Sequence, residues 1–161
     1  MMASKKFPYK AAYVACNPNC AVELTDPCRF GCVGCGQCVE ACPFGAVSLS
    51  AAGVAVIDAE RCMACGKCVK ICPREVIHIH EIANTIVVTC SNKEPGAAAR
   101  KKCSTSCIGC GICAKNCTAG AIKVEDSLAH IKDDLCLSCG MCAVNCPRGA
   151  IADLKGVLTV N

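Results

Sequence analysis

Apolar positions along this chain come in short alternating runs separated by turn residues, never in long helical stripes. Val47-Ser48-Leu49 and Val54-Ala55-Val56 flank Ala51-Ala52-Gly53, the pattern of a β-hairpin. Ile77-His78-Ile79 and Ile86-Val87-Val88 predict a second strand pair, and Ile122-Lys123-Val124 with Ala129-His130-Ile131 a third. Short helices are expected at Val39-Glu40-Ala41, Val69-Lys70-Ile71, Ala114-Lys115-Asn116 and Ala143-Val144-Asn145. The class is α+β, built from short hairpins and short helices. No run approaches the roughly 18 apolar residues that span a membrane.

These elements are too short to make an ordinary core. Aromatic residues are 3% of the 161 positions and Trp is absent, so few large side chains can fill an interior. What the chain has instead is cysteine, 21 of them. A disulfide scaffold does not suit it. No apolar leader follows Lys5 and Lys6, and the odd count leaves one thiol over. Structural zinc uses two close cysteine pairs separated by a loop.

The spacing decides the chemistry. Cys32, Cys35, Cys38 and Cys42 form a C-x2-C-x2-C-x3-C phrase. The phrase recurs at Cys62, Cys65, Cys68 and Cys72, at Cys107, Cys110, Cys113 and Cys117, and at Cys136, Cys139, Cys142 and Cys146. This run ligates cubane 4Fe-4S clusters, and its fourth cysteine serves the neighbouring cube. The expected sets are Cys32, Cys35, Cys38 and Cys72; Cys62, Cys65, Cys68 and Cys42; Cys107, Cys110, Cys113 and Cys146; and Cys136, Cys139, Cys142 and Cys117.

The phrases repeat in pairs. Cys32 maps to Cys107 at an offset of 75 and Cys62 to Cys136 at 74, a tandem duplication of a two-cluster module. The expected division is an N-terminal segment 1–27 carrying extra ligands, a first module 28–82, a linker segment 83–102 with Cys90, and a second module 103–161. Gly36, Gly66, Gly111 and Gly140 recur inside the phrases, where the chain passes close to a cube. Pro43, Pro73 and Pro147 follow the last cysteines; Thr118 stands in that place in the third copy. Val33, Met63, Ile108 and Leu137 are expected to cover the cubes and exclude water.

Five cysteines remain. Cys16 maps to Cys90 and Cys28 to Cys103. Two readings stand for these four: ligands of a fifth cube between the halves, or packed free thiols. Cys20 corresponds to Glu94 and reads as a bystander or a substitute for Cys16.

The formal charge of +4 counts thiols as neutral. Four oxidised cubes with their thiolates add about −8, so the loaded protein is acidic, near −4. That argues against a nucleic-acid partner. His78, His80 and His130 lie in strand patterns, with His78 and His80 on one exposed face. No dinucleotide or nucleotide-triphosphate loop is present.

Cys28-Arg-Phe-Gly-Cys32, Cys-Pro-Phe-Gly-Ala at 42–46 and above all the segment from Cys90-Ser-Asn-Lys to Cys103 resemble the ferredoxin-like part of the RnfB subunit family. That family belongs to membrane complexes that oxidise ferredoxin, reduce NAD and pump ions. The resemblance covers residues 12–152 and is absent at the front, where the family's membrane helix and separate N-terminal cluster domain have no counterpart. It implies an electron-transfer subunit, not an enzyme by itself, relaying low-potential electrons from reduced ferredoxin through four or five 4Fe-4S clusters to other subunits. The alternatives are a free soluble carrier and an enzyme with one open cube. It implies a cytoplasmic place, peripheral to a membrane complex, without direct insertion. Arg100, Lys101 and Lys102 are the candidate dock for an acidic ferredoxin.

Overall fold

The computed structural model describes residues 9–20 and 28–155; the rest of the expected N-terminal segment lies outside them. The order is β1 (Lys10–Val14), α1 (Gln37–Glu40), β2 (Val47–Leu49), β3 (Ala55–Ile57), α2 (Lys67–Ile71), β4 (Ile77–Glu81) and β5 (Ile86–Val88). It continues with α3 (Gly96–Lys102), α4 (Ile112–Lys115), β6 (Ile122–Glu125), β7 (Leu128–Ile131), α5 (Met141–Val144) and β8 (Ile151–Asp153).

Every sheet among the described residues has two antiparallel strands. The local hairpins form as the alternation predicts: Val47 faces Ile57 across β2–β3, and Ile122 faces Ile131 across β6–β7. The expected pairing of Ile77–Ile79 with Ile86–Val88 does not form. Instead β4 takes β1, with Val14 opposite Ile77, and β5 takes β8, with Val88 opposite Ile151. The reason lies in the duplication. Each half opens with a strand that returns to close against that half's last strand, so β4 ends one unit and β5 begins the next. The backbone repeats the same bond past each pair: Ala15 N–H donates to Val76 O at 2.7 Å, and Thr89 N–H to Ala150 O at 2.9 Å.

The short helices also differ in phase. Each begins one residue before the third cysteine of its phrase, so that Cys38, Cys68, Cys113 and Cys142 sit buried in the first turn. The residue before each helix is Gly36, Gly66, Gly111 or Gly140, at φ 75–76. That left-handed turn is the conformational reason for glycine there. A seven-residue run expected as linker, Gly96–Lys102, is the helix α3.

Two apolar clusters form, one per half, and cysteine belongs to both. Ile77 and Ile86 are the largest fully buried side chains. His78 is exposed, but His80 is not: it is 5% exposed, edge-on to Tyr13 with ring centroids 5.2 Å apart. The two histidines flank the same tyrosine, and the chain folding back at Asn84 covers only the second, whose Nδ1 lies 3.0 Å from Asn84 O.

Candidate metal centres

Each phrase wraps its loop so that backbone N–H groups point at sulfur. Gly34 N–H reaches Cys32 Sγ at 3.5 Å, Ala64 N–H reaches Cys62 Sγ at 3.5 Å, and Ser138 N–H reaches Cys136 Sγ at 3.4 Å. Strands add a second donor: Ala55 N–H to Cys32 Sγ at 3.4 Å and Ala12 N–H to Cys62 Sγ at 3.3 Å. The fourth cysteines receive theirs from four residues on, with Ala46 to Cys42, Ala121 to Cys117 and Ala150 to Cys146 at 3.3–3.4 Å. Thr118 in place of proline leaves that bond intact. Such donors favour thiolate over thiol and set potentials.

The thiols then assemble across phrases. Cys32, Cys35, Cys38 and Cys72 line one cavity with Val33, of ≈ 360 Å³. Cys107, Cys110, Cys113 and Cys146 line a second with Ile108, of ≈ 350 Å³, and Cys62, Cys65, Cys68 and Cys42 a third with Met63, of ≈ 330 Å³. Three near-equal cavities, each fed by two phrases, point to one kind of occupant. In the last set Cys142 lies within Coulombic reach of Cys136 and of Cys113, which brings the third and fourth sets side by side. Cys117 packs against the same buried cluster as Cys142. Leu137, expected as a cover, is 73% exposed.

Among the described residues no three His, Cys, Asp or Glu converge tightly enough for a single metal ion. A cube asks for something else, thiolates standing apart around separate irons, and the four-thiol, apolar-walled cavities fit it. Burial opposes the charged form at these thiols. It pushes Cys142 up to about 11 and raises Cys38, Cys68 and Cys113 as well. Loading therefore has to displace protons, with the iron supplying the charge that water cannot.

Arg74 and Arg148 occupy matching places, each beside the fourth cysteine of its cavity. Arg74 Nη1 donates to Arg29 O at 2.6 Å and Arg148 Nη2 to Cys103 O at 2.7 Å. They put a guanidinium against the first and third sites and leave the second without one. The sequence signal for this place is a Cys-Pro-Arg run, which the pattern of cysteines alone does not single out. In the candidate dock, Arg100 and Lys101 are exposed at the end of α3, while Lys102 Nζ donates to Glu94 Oε1 at 3.0 Å.

Of the remaining cysteines, Cys16, Cys28 and Cys103 come together. Cys90 stands beside Cys103 and Cys107, its sulfur accepting from Asn92 N–H at 3.4 Å and Cys107 N–H at 3.3 Å. Cys20 is no bystander in space: its sulfur lies 3.4 Å from Cys103 Sγ.

The comparisons with known proteins agree with this architecture. The 4Fe-4S dicluster domain family matches residues 31–76 and 106–150, and a second description of that domain matches 61–122. The B subunit of a proton-translocating ferredoxin:NAD(+) oxidoreductase complex from Clostridium ljungdahlii is 41% identical over 133 residues, covering 83% of this chain and 47% of its own. The B subunit of an ion-translocating oxidoreductase complex from Methanosarcina acetivorans is 38% identical over 121 residues, with 72% and 46% covered. Its counterpart in a Na(+)-translocating ferredoxin:NAD(+) oxidoreductase complex from Acetobacterium woodii is 41% identical over 107 residues, with 66% and 32% covered. The chain thus spans less than half the length of these relatives. Two matched dicluster domains in one chain, each closed by its own strand pair, place it in the 4Fe-4S dicluster domain family, with the B subunits of ion-translocating oxidoreductase complexes as its relatives.

Proposed function

We propose that this chain is an electron-relay subunit that takes low-potential electrons from reduced ferredoxin and passes them to other subunits of an oxidoreductase complex. The ligands are the four crossed sets of phrase cysteines. When bound, 4Fe-4S cubes accept and return single electrons. The protein's own work is to hold them in series, keep water off them and aim N–H donors at their sulfurs. The observation that carries this reading is that three cavities are each walled by thiols from two phrases. Two cubes that share both phrases stand close by construction, as a relay requires. Among the described residues no helix is long and apolar enough to cross a membrane. The proposed place is the periphery of a membrane complex, in line with the ion-translocating complexes of its relatives. The exposed Arg100 and Lys101 attract an acidic donor.

The test is anaerobic mixing of the loaded chain with reduced ferredoxin, followed by its visible absorbance. Bleaching of the iron–sulfur bands without NAD reduction is expected. A chain that stays oxidised, or one that reduces NAD unaided, overturns the proposal. Purification from its native host with the associated subunits identified separates a fixed subunit from a free carrier.

A further inference from the structure

Five cysteines lie outside the phrases, and the structure sorts them. We propose that Cys16, Cys20, Cys28 and Cys103 are the ligands of a further cubane cluster at the junction of the two halves, and that Cys90 is not one of them. The proposal rests on the reading that the phrase cysteines hold four cubes.

The sorting follows from which sulfurs face which. Within the phrase sites, Cys38 faces Cys32, Cys35 and Cys72, and Cys113 faces Cys107, Cys110 and Cys146. A site member thus has the other three members of its set as sulfur neighbours. Cys20 has that signature with Cys103, Cys16 and Cys28. Cys16 in turn faces Cys28 and Cys103, besides Cys32. The ideal Cβ position at Gly31 is 3.6 Å from both Cys16 Sγ and Cys28 Sγ, so glycine leaves those sulfurs room. The pair Cys20–Cys103 is 3.4 Å apart. Cys90 faces Cys107 and Cys103 alone.

Duplication predicts the other choice, since Cys90 is the counterpart of Cys16 and Cys20 has none. The repeat is broken at this place: Glu94 stands where the first half has Cys20, and its carboxylate is engaged by Lys102. One half therefore supplies three thiols and the other one. A centre with a single occupant cannot use a repeated residue twice unless it sits on the symmetry axis, and this one is displaced toward the first half.

Other occupants fit less well. The Cys20–Cys103 separation far exceeds the roughly 2.05 Å of a disulfide. The thiols do not converge on one point as zinc requires. The place suits a relay. Cys16 abuts Cys32 of the first site, and Cys103 neighbours Cys90, whose sulfur accepts the Cys107 N–H of the third. A cube here joins the two modules.

The experiment is iron, sulfide and zinc analysis of the anaerobically purified full chain, with native mass spectrometry of the unaltered protein as a count independent of any variant. About twenty irons per chain and no zinc are expected, five cubes in all. Cys20→Ala should lower the count to about sixteen, or to about nineteen with the electron paramagnetic resonance signal of a three-iron cluster. Cys90→Ala should leave about twenty. Five results overturn the proposal: about sixteen irons in the unaltered chain, one zinc with about sixteen irons, a Cys20–Cys103 disulfide in the loaded protein, no change with Cys20→Ala, or loss of a cube with Cys90→Ala. The counts are read without any electron donor, so failure of the ferredoxin reaction leaves this inference standing, and the reverse also holds.

Discussion

At Gly34 the binding loop of the first phrase touches the hairpin turn above it. A Cβ there would lie 2.5 Å from Gly53 O, and φ is +65°. Gly34→Ala should therefore cost about 1–3 kcal/mol through strain, read as a lower denaturation midpoint and slower iron loading. The second and fourth phrases carry Ala64 and Ser138 at the same place, both at φ 51. Ala64→Gly removes the left-handed penalty and should stabilise the loaded protein by about 1 kcal/mol. A second residue-scale prediction concerns the guanidinium beside the third site. Arg148→Gln removes a positive charge from the cavity of Cys107, Cys110, Cys113 and Cys146. Adding an electron there becomes harder, so one cube's midpoint potential should fall in a spectroelectrochemical titration, while the other cubes keep theirs. An unchanged set of potentials would show that solvent screens the arginine.

The elements divide by how local their partners are. The hairpins β2–β3 and β6–β7 are legible in the sequence because alternation and a turn lie within one short window. The pairs β1–β4 and β5–β8 are not, because neither strand's pattern names a partner more than sixty residues away. Helix α3 has a readable signal that the linker reading passes over: Pro95 at its N-cap, three alanines, then three basic residues in its last turn. The candidate sites are more legible than the fold, since cysteine spacing is a chemical constraint that survives any error in element assignment. Cys20 escapes because duplication is the only guide to the leftover thiols and the repeat breaks there. At this scale α3 itself makes a prediction. Gly96 packs on the third binding loop, its Cβ position 2.5 Å from Ile108 O, and the exposed Arg100 and Lys101 sit at the far end. Reversing both, Arg100→Glu with Lys101→Glu, should slow reduction by an acidic ferredoxin about tenfold or more at low salt and flatten its salt dependence, with iron content unchanged. Equal rates for both proteins at low salt would put the dock elsewhere.

The described part of the molecule lacks what normally holds a chain of this length. Its helices run four to seven residues and its sheets two strands. Isolated helices that short are unstable in water, and a lone two-stranded hairpin is marginal. The fully buried side chains include Ile77, Ile86, Val54 and Val76 but no aromatic. In the first half Cys38, Cys62 and Cys68 belong to the apolar cluster itself, and Cys32, Cys42 and Cys72 pack against it. The crossed sets tie the first phrase to the second and the third to the fourth, so iron would close long loops that the apolar surface alone cannot. Without metal, burial raises thiols such as Cys38, Cys68 and Cys142 toward their protonated form, and the interior is left with groups that neither pack nor bond well. Metal and fold should therefore be lost together. Iron chelation under anaerobic conditions should collapse the far-ultraviolet circular dichroism in step with the iron–sulfur absorbance. Iron-free protein that kept its native spectrum would mean that the two small apolar clusters suffice, and that the cubes are passengers in a fold that stands without them.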